Sequence, residues 1–361
     1  TVWIWSLVRG QTDYLPERFE EAEISIQQVV KNNDVVLDGL SIRNPDSNIS
    51  PNIYLNPLYE QYQKGRNLDE LVSGIADTYI ENMEPIENRT FQVQIEDIKN
   101  YEVVKGEIFP RLVNLEKNKI RLQNVPYTQR EDLAITYHVK VSGNRDSIGS
   151  LMITNELMEV YGVTKEKLHT QAMENMERLS PPVFLPLGEM IVDVMTEDFG
   201  RNEGVSQEEA KEYVKDMIPT GGPNVYCLTN QYKMNGAVGI MSESIQQMVA
   251  DRVGGDYYVL PSSVHEVLIV PQSAGMDPEE LTDMVNTVNE GCVMQDEILS
   301  DHVYQYDAKE HKLSLCAPAK EMKQEQTMEQ NRQPAFEEKS IDATKQPEQS
   351  HEPIKHSGRS H

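Results

Sequence analysis

Apolar and polar residues alternate in short paired runs along most of the chain, and most pairs are trailed by a stretch with helical spacing. Ile24 and Ile26 alternate within Glu23–Val30, Asn32-Asn33-Asp34 makes a turn, and residues 35–42 return as a second strand. Asn44-Pro45-Asp46-Ser47-Asn48 turns the chain again, and residues 52–55 add a short third strand. Asn56-Pro57 reads as an N-cap followed by proline at the first helical position, opening a helix through Tyr59 and Tyr62 to Gly65. Asn67 caps the next helix, with Leu68, Leu71, Val72, Ile75 and Tyr79 on one face.

The same order recurs downstream. Residues 97–104 read as a helix and 109–115 as a strand. Residues 132–141 and 149–154 flank a Ser-Gly-Asn-Arg-Asp turn, and a helix follows from Thr164 with Leu168, Ala172, Met176 and Leu179 on one side. Residues 225–228 and 237–241 form a third pair before a helix carrying Ile245, Met248, Val249 and Val253. Residues 257–260 and 264–270 form a fourth, followed by a capped helix start at Asp277-Pro278-Glu279-Glu280. Residues 302–306 and 312–316 close the series. Residues 181–204 read as a loop and one amphipathic helix. Ile153-Thr154-Asn155-Glu156 echoes Leu228-Thr229-Asn230-Gln231, which fits a repeated unit. The expected fold is therefore α+β: antiparallel sheets built from hairpin-plus-helix (ββα) units, with helices on one face. The expected division is an N-terminal α+β domain over residues 1–125 and a C-terminal one over 126–317. Within the latter, Gly221-Gly222-Pro223 marks an internal boundary near residue 220. From 318 to 361 the chain turns to Gln, Glu, Lys, Ser and Pro without a period, as expected of a disordered tail.

Charge narrows the partners. With 33 basic and 59 acidic residues the net charge is −26, which repels phosphate backbones and anionic membranes, so direct nucleic-acid or membrane binding is not expected. Cys227, Cys292 and Cys316 are too few and too scattered for a disulfide framework and fit a reducing, cytoplasmic compartment. Residues 2–8 are apolar but too short for a membrane span, and they lack the flanks of a signal peptide. The chain begins without Met and both tryptophans fall here. Residues 1–10 therefore read as a truncated or replaced start of a helix running to about Tyr14.

Most catalytic templates fail: no phosphate loop, no GxSxG elbow and no GxGxxG fingerprint occurs. His265-Glu266-Val267-Leu268-Ile269 mimics a zinc-protease helix but has Ile where the second ligand belongs. Around it, Ser262, Ser263, His265 and Glu266 place two hydroxyls, an imidazole and a carboxylate within five residues. One reading makes a serine an anion ligand or nucleophile with His265 as base. The other is a tight turn closed by hydroxyl-to-backbone bonds, with His265 and Glu266 on a wet sheet face. Asp301 and His302 join them as candidate binding residues, and the four His and carboxylate groups suit zinc or iron in kind if the last hairpins are adjacent. No metal or cofactor is expected as the leading reading. His138 in a strand and His169 in a helix read as structural or surface histidines, and the cluster Tyr54, Tyr59 and Tyr62 as core.

Two passages carry a family resemblance. Asn33-Asp34-Val35-Val36-Leu37-Asp38-Gly39-Leu40 with Ser50-Pro51-Asn52-Ile53-Tyr54-Leu55 is one. Residues 256–268 (Asp-Tyr-Tyr-Val-Leu-Pro-Ser-Ser-Val-His-Glu-Val-Leu) with Leu299-Ser300-Asp301-His302-Val303-Tyr304 is the other. Together they resemble a bacterial family catalogued as domain of unknown function 5688, over roughly residues 15–315. The resemblance implies a bacterial cytosolic home and supplies no activity, cofactor or site residue. The leading functional expectation is a non-enzymatic binding or protein-interaction module with a protein partner. The alternatives are a hydrolase or metal-dependent enzyme centred on His265 and Glu266, and an acidic DNA mimic.

Overall fold

The alternating run Glu23–Val30 forms strand β1 of a computed structural model that describes residues 15, 19, 21–45, 52–87, 95–143, 148–215, 217 and 224–316. β1 pairs antiparallel with β2 (Val36–Arg43), from Glu23 opposite Arg43 to Val30 opposite Val36, and β2 pairs with β3 (Asn52–Tyr54). In the turn between β1 and β2, Asn33 and Asp34 hold φ at 58° and 52°, a region Asn and Asp tolerate better than most residues. Helices α1 (Asn56–Gln63) and α2 (Leu68–Glu87) back this sheet, and Leu40, Ile42, Leu55, Val72, Ile75 and Tyr79 form its own core. Asn67 caps α2 as expected, accepting the Asp69 N–H at 2.8 Å. Asn56 does not cap α1: its Oδ1 accepts the Asp38 N–H at 2.9 Å, tying the helix start to β2.

After the short helix α3 (Tyr101–Val104) comes a second sheet of β4 (Ile108–Asn114), β5 (Tyr127–Arg130), β6 (Leu133–Gly143) and β7 (Ile148–Met152). The long β6 pairs with β4 on one side and with β5 and β7, end to end, on the other. Helices α4 (Asn155–Tyr161) and α5 (Lys165–Leu179) follow; Thr154 and Thr164 cap them through Leu157 N–H and Lys167 N–H. Leu168, Ala172 and Met176 of α5 pack with Ile108, Leu112, Ile135 and Val139 in the largest core.

The third sheet runs β13–β12–β10–β11–β9–β8, all antiparallel: β8 (Pro182–Pro186), β9 (Tyr226–Asn230), β10 (Tyr257–Leu260), β11 (Val267–Pro271), β12 (Tyr304–Asp307) and β13 (Lys312–Leu315). Tyr257, Val259, Val267 and Ile269 point into the largest core, where α8 (Glu243–Val253) also packs. Their neighbours Tyr258, Leu260, Leu268 and Val270 point the other way, onto Leu281 and Val285 of α9 (Pro278–Gly291). Helices α6 (Leu187–Glu203) and α7 (Gln207–Lys215) complete the chain of elements.

The α+β class and the antiparallel pairing stand. The expected single helical face does not hold for the third sheet, because its inner strands are apolar on both sides and each side needs a cover. The third ββα unit also differs. Residues 237–241 belong to a 3-10 helix, Gly236–Met241, and β9 pairs with β8 and β11 instead. Strands from both sides of residue 125 share the second sheet, and strands from both sides of residue 220 share the third. The described residues, all of which lie before residue 317, fall within one compact unit. The expected helix to Tyr14, the tips of the turns at 44–48 and 142–146, the Gly221-Gly222-Pro223 boundary and the tail lie outside the described residues. Among the described residues no helix is long and apolar enough to cross a membrane.

Candidate functional site

Between β10 and β11 the chain leaves the sheet, and there residues 261–264 run antiparallel to 297–300. Val264 N–H donates to Glu297 O at 2.9 Å, Leu299 N–H to Ser262 O at 3.1 Å and Ser300 N–H to Pro261 O at 2.9 Å. Each of the paired segments holds a Ser-x-His turn. Ser263 Oγ accepts the His265 N–H at 3.0 Å, and Ser300 Oγ accepts the His302 N–H at 3.0 Å. The tight-turn reading of Ser263 is the one the geometry supports. His265 and Glu266 precede β11 and are half-buried, so they do not occupy a wet sheet face.

His265 is held on both sides. Its Nδ1 accepts the Asn235 N–H at 3.2 Å, and its Nε2 faces Glu297 Oε1 at 3.3 Å. Its carbonyl accepts Gly236 N–H at 2.9 Å and Thr229 Oγ1 at 2.8 Å. Only glycine fits at 236: a Cβ there would lie 2.5 Å from Thr229 Oγ1, 2.6 Å from Asn230 N and 2.8 Å from His265 O. With Ser263 Oγ committed to the turn and both ring nitrogens engaged, this geometry offers no serine–histidine nucleophile pair. Burial foremost, reinforced by Glu297, raises the Glu266 carboxyl against the lowering pull of His265 and Ser263. Burial also pushes the nearby Cys227 thiol up to about 12, which makes it a poor nucleophile at neutral pH.

The second turn has different partners. Asp132, between β5 and β6, accepts Ser300 Oγ at 2.7 Å, the Tyr304 hydroxyl, and the His302 ring at 3.0 Å. Burial acts to raise this carboxyl, but the three donors outweigh it and hold it below the usual carboxylate range. Asp301 turns away to Lys117 Nζ at 2.9 Å and Asn289 Nδ2 at 2.8 Å. The six candidates therefore share one pair of segments but not one centre. His265 answers to Glu297, His302 to Asp132 and Asp301 to Lys117. Among the described residues no group of three or more His, Cys, Asp or Glu is arranged to hold a metal ion.

The loop that carries His265 separates two cavities. On one side Ser262 and Glu266 face a groove of about 470 Å³ whose walls are α6 and α9 and whose floor is the sheet. Ile191 and Val194 of α6 and Met284 and Val288 of α9 remain 40%, 41%, 46% and 39% exposed along it, an unusual concentration of wet apolar surface. On the other side Val264 and His265 face a polar cleft of about 270 Å³ lined by Lys31, Arg111, Arg121 and His138. The β1–β2 turn forms its outer wall: Asn33 Nδ2 donates to Gln295 O at 2.8 Å and Ile298 O at 2.7 Å, and Asn32 Nδ2 to Asp296 O at 2.9 Å. The loop stands out in the sequence, but Asp132, Arg111, Arg121 and Glu297, which reach it from other parts of the chain, do not. Asn235-Gly236 was a local signal for the turn that fixes His265, since Asn235 sits at φ 53°.

A family model, the family of unknown function DUF5688, matches residues 6–308. No curated protein and no solved structure matches the chain. The chain belongs to that family.

Proposed function

Proceeding from membership of a family without an assigned activity, we propose that the protein is a non-enzymatic interaction module of the bacterial cytosol. Its groove between α6 and α9 holds a basic amphipathic helix of a partner protein. The observation that carries this is the facing pair of exposed apolar stripes, Ile191 with Val194 and Met284 with Val288, along the rims of the groove. A small molecule filling the floor would leave those rims wet, whereas a helix laid along the groove covers them with anchors at i, i+3, i+4 and i+7. Met190, Met195 and Met284 supply adaptable side chains suited to such packing.

Charge selects the sign of the partner. Helix α6 carries five carboxylates and one arginine, and α9 carries four carboxylates and no basic residue. Some are already engaged: Glu197 meets Lys233 at 3.0 Å and Asp193 meets Lys211 at 3.8 Å. Glu280 stands one turn before Met284, on the same stripe, where it would meet a lysine or arginine flanking the apolar face of the incoming helix.

The test uses a fluorescent Leu/Lys peptide with helical apolar spacing, a Leu/Glu counterpart and an alkylamine, each titrated into the full chain by anisotropy or calorimetry. The Leu/Lys peptide is expected to bind, more tightly at low salt, and Met284→Asp or Val194→Asp should weaken it about tenfold while leaving the circular dichroism spectrum unchanged. Equal affinity for all variants, a preference for the Leu/Glu peptide, or binding of the alkylamine alone would overturn the proposal.

A further inference from the structure

We propose that the polar cleft on the opposite side of the His265 loop binds the phosphate group of a small molecule between Arg111 and Arg121. In a chain with 59 acidic and 33 basic residues, most buried cations would be expected to sit against a carboxylate. Arg111 does not. It rises from β4 on the same face as Phe109 and Val113, donates Nη2 to Ser150 Oγ at 2.9 Å, and lies 5.4 Å from the Phe109 ring centre. Its Nε is buried with no hydrogen-bond partner. The charged group that acts on it is Arg121, a second guanidinium, so burial and like-charge repulsion together pull Arg111 down to about 10.

Arg121 has partial compensation from Asp34. That carboxylate already accepts the Ile120 and Arg121 backbone N–H groups at 2.7 and 3.0 Å, capping the 3-10 turn at residues 121–124. His138 stands on β6 beside them, fully buried and held neutral by burial and the two arginines, with Thr136 at its Nε2. Two carboxylates also border the cleft: Glu297, which faces His265, and Asp296. Lys31 lines the same cleft, so the charged side chains of the cleft are three cations and two carboxylates.

Two planar guanidinium groups lining one cleft match a tetrahedral dianion, which takes N–H···O bonds from each and cancels the repulsion between them. The cleft volume of about 270 Å³ admits a phosphate with a small organic group. The net charge of the chain opposes anions at long range, so selectivity rests on this local pair.

Thermal shift and calorimetry of the full chain with inorganic phosphate, set against acetate and chloride at matched ionic strength, test the inference. Phosphate is expected to bind saturably and raise Tm, and Arg121→Gln should weaken it at least tenfold. Arg111→Gln should do the same if it folds. Leu/Lys peptide binding at the groove should be unaffected in Arg121→Gln, which separates failure of this site from failure of the groove. Phosphate indistinguishable from chloride on the unaltered protein, or equal phosphate binding by Arg121→Gln, would overturn it.

Discussion

The two Ser-x-His turns, Ser263-Val264-His265 and Ser300-Asp301-His302, lie side by side with the same 3.0 Å hydroxyl-to-amide closure, yet they meet opposite surroundings. The first is clamped by neutral backbone groups, Asn235 N–H on the ring and Gly236 N–H on the carbonyl, and Glu297 is its charged partner. The second is organised around a carboxylate: Asp132 gathers Ser300, His302 and Tyr304. A shared local motif therefore does not carry a shared chemistry. The turn sets where the imidazole starts, and residues from remote strands set what it can do.

Three substitutions break or sharpen that contrast. The largest effect is expected of Gly236→Ala, which drives a methyl into backbone atoms of residues 230 and 265 and should cost about 3 kcal/mol in denaturant unfolding, with the first turn displaced. Asp132→Asn strikes the second turn alone and should cost about 2 kcal/mol at neutral pH, because buried donors lose a charged acceptor. The folded pKa of Asp132 lies below the unfolded one. Its contribution is thus complete above about pH 4 and is lost as pH falls through the folded value, so the gap between wild type and Asn variant should close in acid. A gap that stays constant between pH 7 and pH 3 would show that the carboxylate charge is irrelevant. The smallest effect is expected of Glu266→Gln. Its folded pKa is raised, so wild type loses stability as pH rises through that value, and the Gln variant should be slightly the more stable at neutral pH and equal at pH 4. Unfolding curves at both values decide it.

Much of the architecture was readable because alternation is a local signal. The β1–β2 hairpin, the β10–β11 hairpin and the Asp277 cap, which accepts Glu279 N–H at 2.7 Å, all follow from neighbours in sequence. Strand β8 was hidden by its prolines, which an edge strand tolerates. Helix α7 has only Ala210 and Val214 buried, too short an apolar stripe to stand out in sequence, although Ser206 and Glu209 form a reciprocal capping pair. Residues 237–241 look like a strand in composition, and the tight winding from Asn230 to Gly236 turns them into a 3-10 helix instead. The site was half legible. The loop with Ser263 and His265 announced itself, but Arg111 and Arg121 are ordinary residues until β4 and the 3-10 turn bring them together, and no spacing rule encodes that meeting.

Strand β8 has a further consequence for how copies of the chain behave toward each other. Leu187 N–H donates to Val225 O, and Pro181 O accepts from Gln231 N–H, so the odd-numbered positions of this segment face β9 and the even ones face outward. Of the three outward positions, 182 and 186 are proline and donate nothing, which leaves Phe184 as the one amide available to an incoming strand. A new β-partner needs donors at alternate positions, so this margin of the sheet resists templated growth into fibrils even at high concentration.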